Sequence, residues 1–155
     1  MKILILGRTE ILYRVAEQLA EANYAIVGII TALASPESYK TASDFESLAT
    51  KLNVPFLQLE HDNSRLLPFV QELNADICIS MNWVKVLGED FLELFPLGIL
   101  NLHFGDLPRF RGNAVTNWAL LSGEKEIMLT LHRMEADELD SGNIYAQKSM
   151  SIDDT

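Results

Sequence analysis

The first hundred residues alternate between short apolar runs and segments of helical periodicity. Residues 3–6 form a continuous apolar run that ends at Gly7, a pattern typical of a strand buried on both faces of a parallel sheet. Over residues 10–22 the apolar positions recur at helical spacing, and Thr9 is predicted to cap this helix. Together, the two segments predict a β-α unit.

The same alternation continues to about residue 102. It predicts strands at 25–30, 55–57, 75–81 and 98–102, and helices at 43–52, 66–73 and 88–94. Ser43, with Glu46 three residues later, is typical of a capping box. This order of strands and helices predicts an α/β fold, with a mostly parallel sheet, right-handed crossovers and helices on both faces.

The pattern changes after Gly112. Asn113 is predicted to cap a helix that runs to Leu121, and residues 128–134 and 144–152 are predicted as two closing strands. The absence of an interdomain linker favours a single domain over residues 1–155. The last five residues resemble a strand end followed by a helix cap, so we expect this domain to lack its C-terminal continuation.

Composition and charge narrow the class of protein. Of the 155 residues, 12 are Lys or Arg and 22 are Asp or Glu, which gives a net charge of -10 and argues against wrapping nucleic acid or lying on an anionic membrane. The single cysteine, Cys78, lies in an apolar run, as expected for a buried thiol in a reducing compartment. The apolar N-terminal run is too short for a signal peptide, so we expect a cytoplasmic protein.

Several common sites are disfavoured by the residues. The loop after the first strand lacks the three-glycine dinucleotide motif, and no glycine precedes Lys-Ser or Lys-Thr as in a phosphate-binding loop. The three histidines and the one cysteine have no metal-ligand spacing. His61 lies in a polar stretch and is expected to be solvated, whereas the alternation around His132 favours a structural role in a strand.

His103 is the strongest chemical candidate. It stands just past the predicted fifth strand and is followed by the loop 105–112. Asn101 lies two residues earlier, and residues two apart in extended chain point to the same side. The two side chains are therefore predicted to project together from the carboxyl edge of the sheet, where ligands bind in α/β folds. The spacing alone leaves a capping Asn and a surface His equally open.

Three motifs in this order resemble those of the folate-dependent formyltransferases. They are Asn101-Leu102-His103, the loop Leu107-Pro108-Arg109-Phe110-Arg111-Gly112 and the distant Leu139-Asp140-Ser141-Gly142. The resemblance is strong from about residue 75 to residue 152 and rests upstream on the β-α pattern alone. It implies a Rossmann-like formyltransferase fold and the use of 10-formyltetrahydrofolate as formyl donor, with no metal.

The resemblance further implies a catalytic trio of Asn101, His103 and Asp140. An amine attacks the formyl carbon and produces a tetrahedral oxyanion, to which Asn101 can donate a hydrogen bond. His103 can donate to the same oxygen or help to relay the amine proton, and Asp140 can orient and stabilise His103 or take part in the proton transfer. By itself Asp140 is equally explained as a turn residue before Gly142.

The pterin of the folate is placed by the same resemblance beside two segments, 82–87 and 135–139. Their backbone groups can pair with the donor and acceptor edge of the pterin, while Trp83 and other apolar side chains form walls; Trp83 as a core residue is an equally open alternative. The expected cofactor-binding residues are Trp83, Val84, Lys85, Val86, Leu87, Glu135, Ala136, Asp137, Glu138 and Leu139.

The acceptor is expected to be a small-molecule amine. Among such amines, an amino sugar linked to a nucleotide is the one favoured by the residues. The family commonly has Ser-Leu before the Leu-Pro loop, where this chain has Phe104-Gly105-Asp106. Asp106 can pair with a substrate ammonium or cap the loop, and Arg109 and Arg111 can bind a diphosphate. Asn117 and Trp118, in the following helix, resemble the sugar-nucleotide branch and are expected to border the sugar.

Two alternatives stay open. The Leu139-Asp140-Ser141-Gly142 motif fits a methionyl-tRNA formyltransferase equally well, although the acidic charge and the lack of a basic domain for tRNA argue against it. The other alternative is a noncatalytic folate-binding domain, and the presence of all three residues of the catalytic trio argues against it. We expect no membrane partner. A nucleic acid partner is expected only under the first alternative, where it would be tRNA. Homodimerisation stays open.

Overall fold

The structure, a computed structural model, describes residues 1–34, 38–60, 64–83, 85–136 and 138–152. Of the residues named above, His61, Val84 and Asp137 lie outside these ranges. The chain divides into two compact units, Met1–Ile99 and Leu100–Thr155. Each unit is described by itself.

The first unit is a parallel sheet whose strands alternate with helices. The elements are β1 (Lys2–Gly7), α1 (Glu10–Glu21), β2 (Ala25–Ala32), α2 (Ala42–Leu52), β3 (Phe56–Leu59), α3 (Leu66–Leu73), β4 (Ile77–Met81) and α4 (Glu89–Leu92). The strand order is β3-β2-β1-β4, and each neighbouring pair is parallel. The prediction of an α/β fold with a mostly parallel sheet is therefore confirmed.

The strand order determines which face each helix covers. The chain moves in one direction from β1 to β2 to β3 and then returns past β1 to β4, so right-handed crossovers put α1 and α2 on one face and α3 on the other. Tyr13 of α1 meets Phe45 of α2 edge to face, with ring centroids 5.4 Å apart. On the opposite face the missing side chain of Gly28 makes room for Leu73 of α3.

Local signals predicted some helix boundaries correctly and others not. The Thr9 hydroxyl caps α1 by accepting from the backbone of Leu12 at 3.2 Å, as predicted. The capping box of α2 is formed by Thr41 and Asp44, not by Ser43 and Glu46, because the extended residue that ends the preceding loop is Thr41. Ser43 and Glu46 therefore lie within the helix.

The second unit is antiparallel. It contains most of β5 (Ile99–Phe104), then α5 (Val115–Leu121), β6 (Glu126–Arg133) and β7 (Ile144–Ser151), and β6 pairs in antiparallel fashion with both β5 and β7. The predicted closing strands are thus confirmed. Asn113 does not cap α5, because Ala114, in a left-handed conformation with φ of 54°, occupies the position before the helix.

The packing of Phe45 generates a stability prediction. This ring is fully buried between α1, α2 and the sheet, so Phe45→Ala should lower the free energy of unfolding by about 3–5 kcal/mol through lost transfer energy and a residual cavity. Denaturant unfolding followed by circular dichroism measures this. The exposed neighbour Glu46→Ala should change it by less than about 0.5 kcal/mol, and an equal effect of both variants would contradict the packing.

Candidate active site

Strand β5 presents Asn101 and His103 on one face of the second unit. Both residues lie within the strand, Asn101 three residues and His103 one residue before its end, whereas His103 was predicted just past the strand. In the antiparallel ladder Asn101 pairs with His132 and His103 with Thr130, so the four side chains share a face. Asn101 and His103 each keep 8% of their accessible surface, so both are buried but can still be contacted by a ligand.

The His103 ring is fixed by a backbone carbonyl. Its Nε2 lies 2.8 Å from the carbonyl oxygen of Phe110, and because a carbonyl only accepts, Nε2 carries the proton and donates. The other nitrogen, Nδ1, faces the Asp140 carboxylate at 3.7 Å. Gly105 permits this arrangement, since a Cβ there would overlap both the Phe110 carbonyl and the His103 ring.

Asp140 lies between two imidazoles. It occupies a turn at φ of 52°, a left-handed conformation that Asp tolerates better than most residues. Its Oδ2 accepts from the Gly112 backbone N–H at 2.9 Å, and its Oδ1 lies 3.4 Å from His132 Nε2. The carboxylate therefore connects the end of the loop after β5 with both strands of the ladder.

These partners determine the charge of Asp140. Burial is the largest single influence and raises the pKa of the carboxyl, but the contact with His132, the Gly112 N–H and the electrostatic influence of the nearby His103 and His132 rings together outweigh it. The pKa of Asp140 is consequently lowered below its ordinary value. The carboxylate is ionised at neutral pH.

His132 is the site neighbour that sequence reasoning missed. Its side chain is completely buried, with Nδ1 2.8 Å from the Arg133 carbonyl oxygen and Nε2 3.1 Å from Asn101 Nδ2. The alternation in β6 indicated a strand residue, and that is correct. Its proximity to Asn101 depends on the β5–β6 register, for which the sequence held no signal.

A row of polar side chains supports the loop after β5. Thr130, fully buried, donates its hydroxyl to the Gly105 carbonyl at 2.6 Å. Gln147 of β7 donates to the Thr130 hydroxyl at 3.1 Å and to the Leu107 carbonyl at 3.3 Å. Neither Thr130 nor Gln147 was predicted, because backbone carbonyls as partners leave no residue pattern.

The two loop arginines predicted to bind a diphosphate are paired with carboxylates. Arg109 contacts Glu124 at 2.6 Å and Asp106 at 3.7 Å, and Arg111 forms an ion pair with Glu138. Asp106 and Arg109 line a cavity of about 160 Å³ together with other residues of the second unit. Those others are Phe110, Ala119, Glu124, Glu126, Ile127 and Met128.

The predicted sugar-binding residues lie on α5. Asn117 and Trp118 are both exposed, and the Trp118 side chain keeps 61% of its accessible surface. The buried face of this helix is formed instead by Val115 and Ala119. Among the described residues of the second unit, no hydrogen bond joins Asn117 or Trp118 to Asn101, His103 or Asp140.

The two predicted folate-binding segments belong to different units. In the first unit Trp83 is half-buried, Lys85 and Val86 are exposed, and Leu87 is buried. The Trp83 Nε1 is buried and has no hydrogen-bond acceptor within the described part of the chain. In the second unit Glu135, Ala136, Glu138 and Leu139 are all exposed, and Glu135 lies 3.6 Å from Arg133.

Neither a metal site nor a membrane-spanning helix is found among the described residues. No group of three or more His, Cys, Asp and Glu side chains in these ranges has an arrangement that could hold a metal ion. Within the same ranges, none of the helices has the length and hydropathy needed to cross a membrane.

Comparisons with known proteins agree on one family. A family model described as formyl transferase matches residues 1–155. The bifunctional polymyxin resistance protein ArnA of Wigglesworthia glossinidia brevipalpis is 32% identical over 157 residues, which cover 99% of this chain and 24% of that protein. Methionyl-tRNA formyltransferase of Thermotoga maritima is 33% identical over 157 residues, 99% of this chain and 50% of that protein.

The fold is likewise shared with solved structures. The crystal structure of phosphoribosylglycinamide formyltransferase from Bacillus halodurans matches with a TM-score of 0.78 at 19% identity, over 99% of this chain and 81% of that one. At this identity the likeness concerns the fold. The chain spans half or less of the length of the two curated relatives.

The lowered pKa of Asp140 predicts a pH-dependent contribution to stability. Because the folded-state pKa lies below that of the unfolded chain, about 3.9, the ionised carboxylate stabilises the fold above about pH 4. This contribution is lost as the pH falls through the folded-state value. The stability difference between the wild type and Asp140→Asn should therefore shrink between about pH 5 and pH 2.

Denaturant unfolding at a series of pH values measures this difference. The exposed carboxylate of Glu93 supplies a control, Glu93→Gln, for the general effect of removing one negative charge. A difference between wild type and Asp140→Asn that grows on acidification would contradict the lowered pKa.

Proposed function

The chain belongs to the formyl transferase family, and from this we propose that it transfers a formyl group from 10-formyltetrahydrofolate to a primary amine. The observation that carries the proposal is the cluster of Asn101, His103 and Asp140 on one face of the second unit. It combines an amide donor, an imidazole and an ionised carboxylate within reach of a bound reactant.

Each member of the cluster has a separate role in this proposal. Asn101 presents amide N–H groups that can stabilise an oxyanion formed from the formyl carbonyl. His103 Nε2 is engaged with the Phe110 carbonyl, so a proton from the amine is taken up at Nδ1, the nitrogen that faces Asp140. Asp140 stabilises the resulting imidazolium and is itself held ionised by its surroundings. When the oxyanion collapses, the bond between the formyl carbon and the folate nitrogen breaks, and the imidazolium returns its proton to that nitrogen, so that tetrahydrofolate leaves.

In the first unit, the donor is proposed to lie against the segment 82–87. One buried polar atom fits such a ligand: the Nε1–H of Trp83, which lacks an acceptor among the described residues and can donate to a heteroatom of a pterin. The bound folate supplies the activated formyl group. The chain's own contribution is to orient that group and to exclude water.

For the acceptor we propose an amino sugar linked to a nucleotide. The carboxylates of Asp106, Glu124 and Glu126 beside the cavity of the second unit suit a cationic amine. Arg109, 60% exposed, forms surface ion pairs, which contribute little and can be exchanged for a diphosphate. Asn117 and Trp118 are exposed on α5 and available to contact a sugar.

Methionyl-tRNA is the second candidate acceptor. It is favoured by the 33% identity to the Thermotoga maritima methionyl-tRNA formyltransferase over 99% of this chain. The net charge of -10 works against it, because tRNA phosphates are held by Lys and Arg. A noncatalytic folate-binding domain is the outcome expected if none of the amines is formylated.

The proposed chemistry predicts the effect of removing His103. His103→Ala should lower the rate of formyl transfer by at least about a hundredfold and leave folate affinity within a few-fold, as expected for a group that acts in the transition state. Single-turnover rates and a titration with a stable folate analogue, followed by tryptophan emission, measure the two quantities. Glu46→Ala, on the surface of α2, is the control. A variant that keeps most of the wild-type rate would remove His103 from the mechanism.

The choice of acceptor is tested by direct competition. Labelled 10-formyltetrahydrofolate is offered with nucleotide-linked amino sugars, methionyl-tRNA and glycinamide ribonucleotide, and we expect label on the amino sugar alone. In that case Arg109→Ala should raise the KM for the nucleotide sugar at least several-fold through loss of diphosphate binding. Transfer confined to methionyl-tRNA or to glycinamide ribonucleotide would overturn the sugar assignment.

A further inference from the structure

His132 is a fully buried titratable side chain to which the proposed chemistry gives no role. It stands on β6 directly opposite Asn101, and a β-bulge in the β6–β7 ladder falls at this position, so that Leu131 pairs with Ala146 and His132 with Ile144. Bulges of this kind often redirect a side chain near a functional site. Three atoms lie close to the ring nitrogens: the Arg133 carbonyl oxygen, the Asn101 amide nitrogen and an Asp140 carboxylate oxygen.

The tautomer of the His132 ring follows from its first partner. Nδ1 lies 2.8 Å from the Arg133 carbonyl oxygen, which can only accept, so Nδ1 carries a proton. Gly142 lets the chain pass close to this carbonyl, because a Cβ there would overlap the Arg133 oxygen. In the neutral imidazole Nε2 is then a bare acceptor, and no other tautomer satisfies the carbonyl.

This acceptor determines how the Asn101 amide is oriented. An amide oxygen and an amide nitrogen are nearly equal in shape, so only the hydrogen-bond partner distinguishes the two orientations. With a lone pair on Nε2, the group that faces it at 3.1 Å must be the Nδ2 amide of Asn101. One N–H is used in this bond, and the second stays available for a reactant. If the amide were rotated, its oxygen would face the lone pair of Nε2, and two hydrogen-bond acceptors would oppose each other.

We propose that His132 is a positioning residue that holds the Asn101 amide with its nitrogen toward the reacting groups. Its catalytic consequence rests on the proposed function, whereas the hydrogen bond itself does not. The charged or titratable side chains nearest to the ring are Asp140, 3.4 Å from Nε2, and His103, whose ring centroid is 6.1 Å away. A second proton on Nε2 would turn it toward Asp140 and remove the acceptor that Asn101 needs.

The first test is spectroscopic and needs no activity. Long-range proton–nitrogen correlation spectra of histidine-labelled protein at about pH 8.5, above the ordinary histidine pKa, should show His132 protonated at Nδ1 and bare at Nε2. The side-chain amide of Asn101, assigned by its absence in Asn101→Ala, should have one proton with slow exchange that His132→Leu makes fast. A doubly protonated ring, or an Asn101 amide unaffected by His132→Leu, would overturn the inference.

The second test is a double-mutant cycle in formyl transfer. His132→Leu should lower kcat about tenfold with KM values within about threefold, and His132→Gln, whose amide oxygen can replace Nε2 as an acceptor, should recover most of that loss. In the Asn101→Ala background His132→Leu should change kcat by less than about twofold, because the group through which it acts is gone.

A merely structural role would produce a different result. Thr31 is buried on β2, and within the described ranges its hydroxyl bonds only to the Ala32 carbonyl. It gives the control Thr31→Val, whose effect should combine additively with Asn101→Ala. Additive effects for His132→Leu as well would overturn the positioning role. If no acceptor is formylated by the wild type, the proposed function fails, and the spectroscopic result alone decides the orientation of Asn101.

Discussion

The second unit is organised around the need to satisfy one buried carboxylate. An ionised Asp140 with 8% of its side chain exposed would be strongly unfavourable without partners. Groups from three separate segments surround it: the Gly112 N–H at the end of the loop after β5, which donates to it, and the imidazoles of His103 on β5 and His132 on β6. The loop, both strands and the turn that carries Asp140 must therefore be placed together.

Each imidazole beside Asp140 is fixed from its far side by a backbone carbonyl. His103 donates to Phe110 through Nε2, and His132 donates to Arg133 through Nδ1, so the remaining nitrogen of each ring is directed toward the same carboxylate. Backbone acceptors are suited to this task because they cannot titrate.

The charge distribution around the site is compatible with the diphosphate of the proposed acceptor. Arg109 and Arg111 are each matched with glutamate side chains at the surface, so the loop carries no excess of positive charge. Exposed pairs of this type exchange partners at little energetic cost. A diphosphate can then displace Glu124 or Glu138, while a long polyanion would meet the net charge of -10.

Local patterns in the sequence were sufficient for the elements and for part of the site. Helix α3 was predicted with both its boundaries, and the Thr9 cap was correct, because apolar spacing and capping act within a few residues. The period of two in β5 likewise put Asn101 and His103 on one face. The family motifs then indicated Asp140 as their partner.

Tertiary structure alone decided the rest. His132 reaches Asn101 across 31 residues and Gln147 reaches the loop carbonyl of Leu107 across 40, through a strand register that no local pattern encodes. The pairing of Arg111 with Glu138 likewise joins residues 27 positions apart. Hydrogen bonds to backbone carbonyls and ion pairs between segments depend on which strands become neighbours, and only the folded chain determines that.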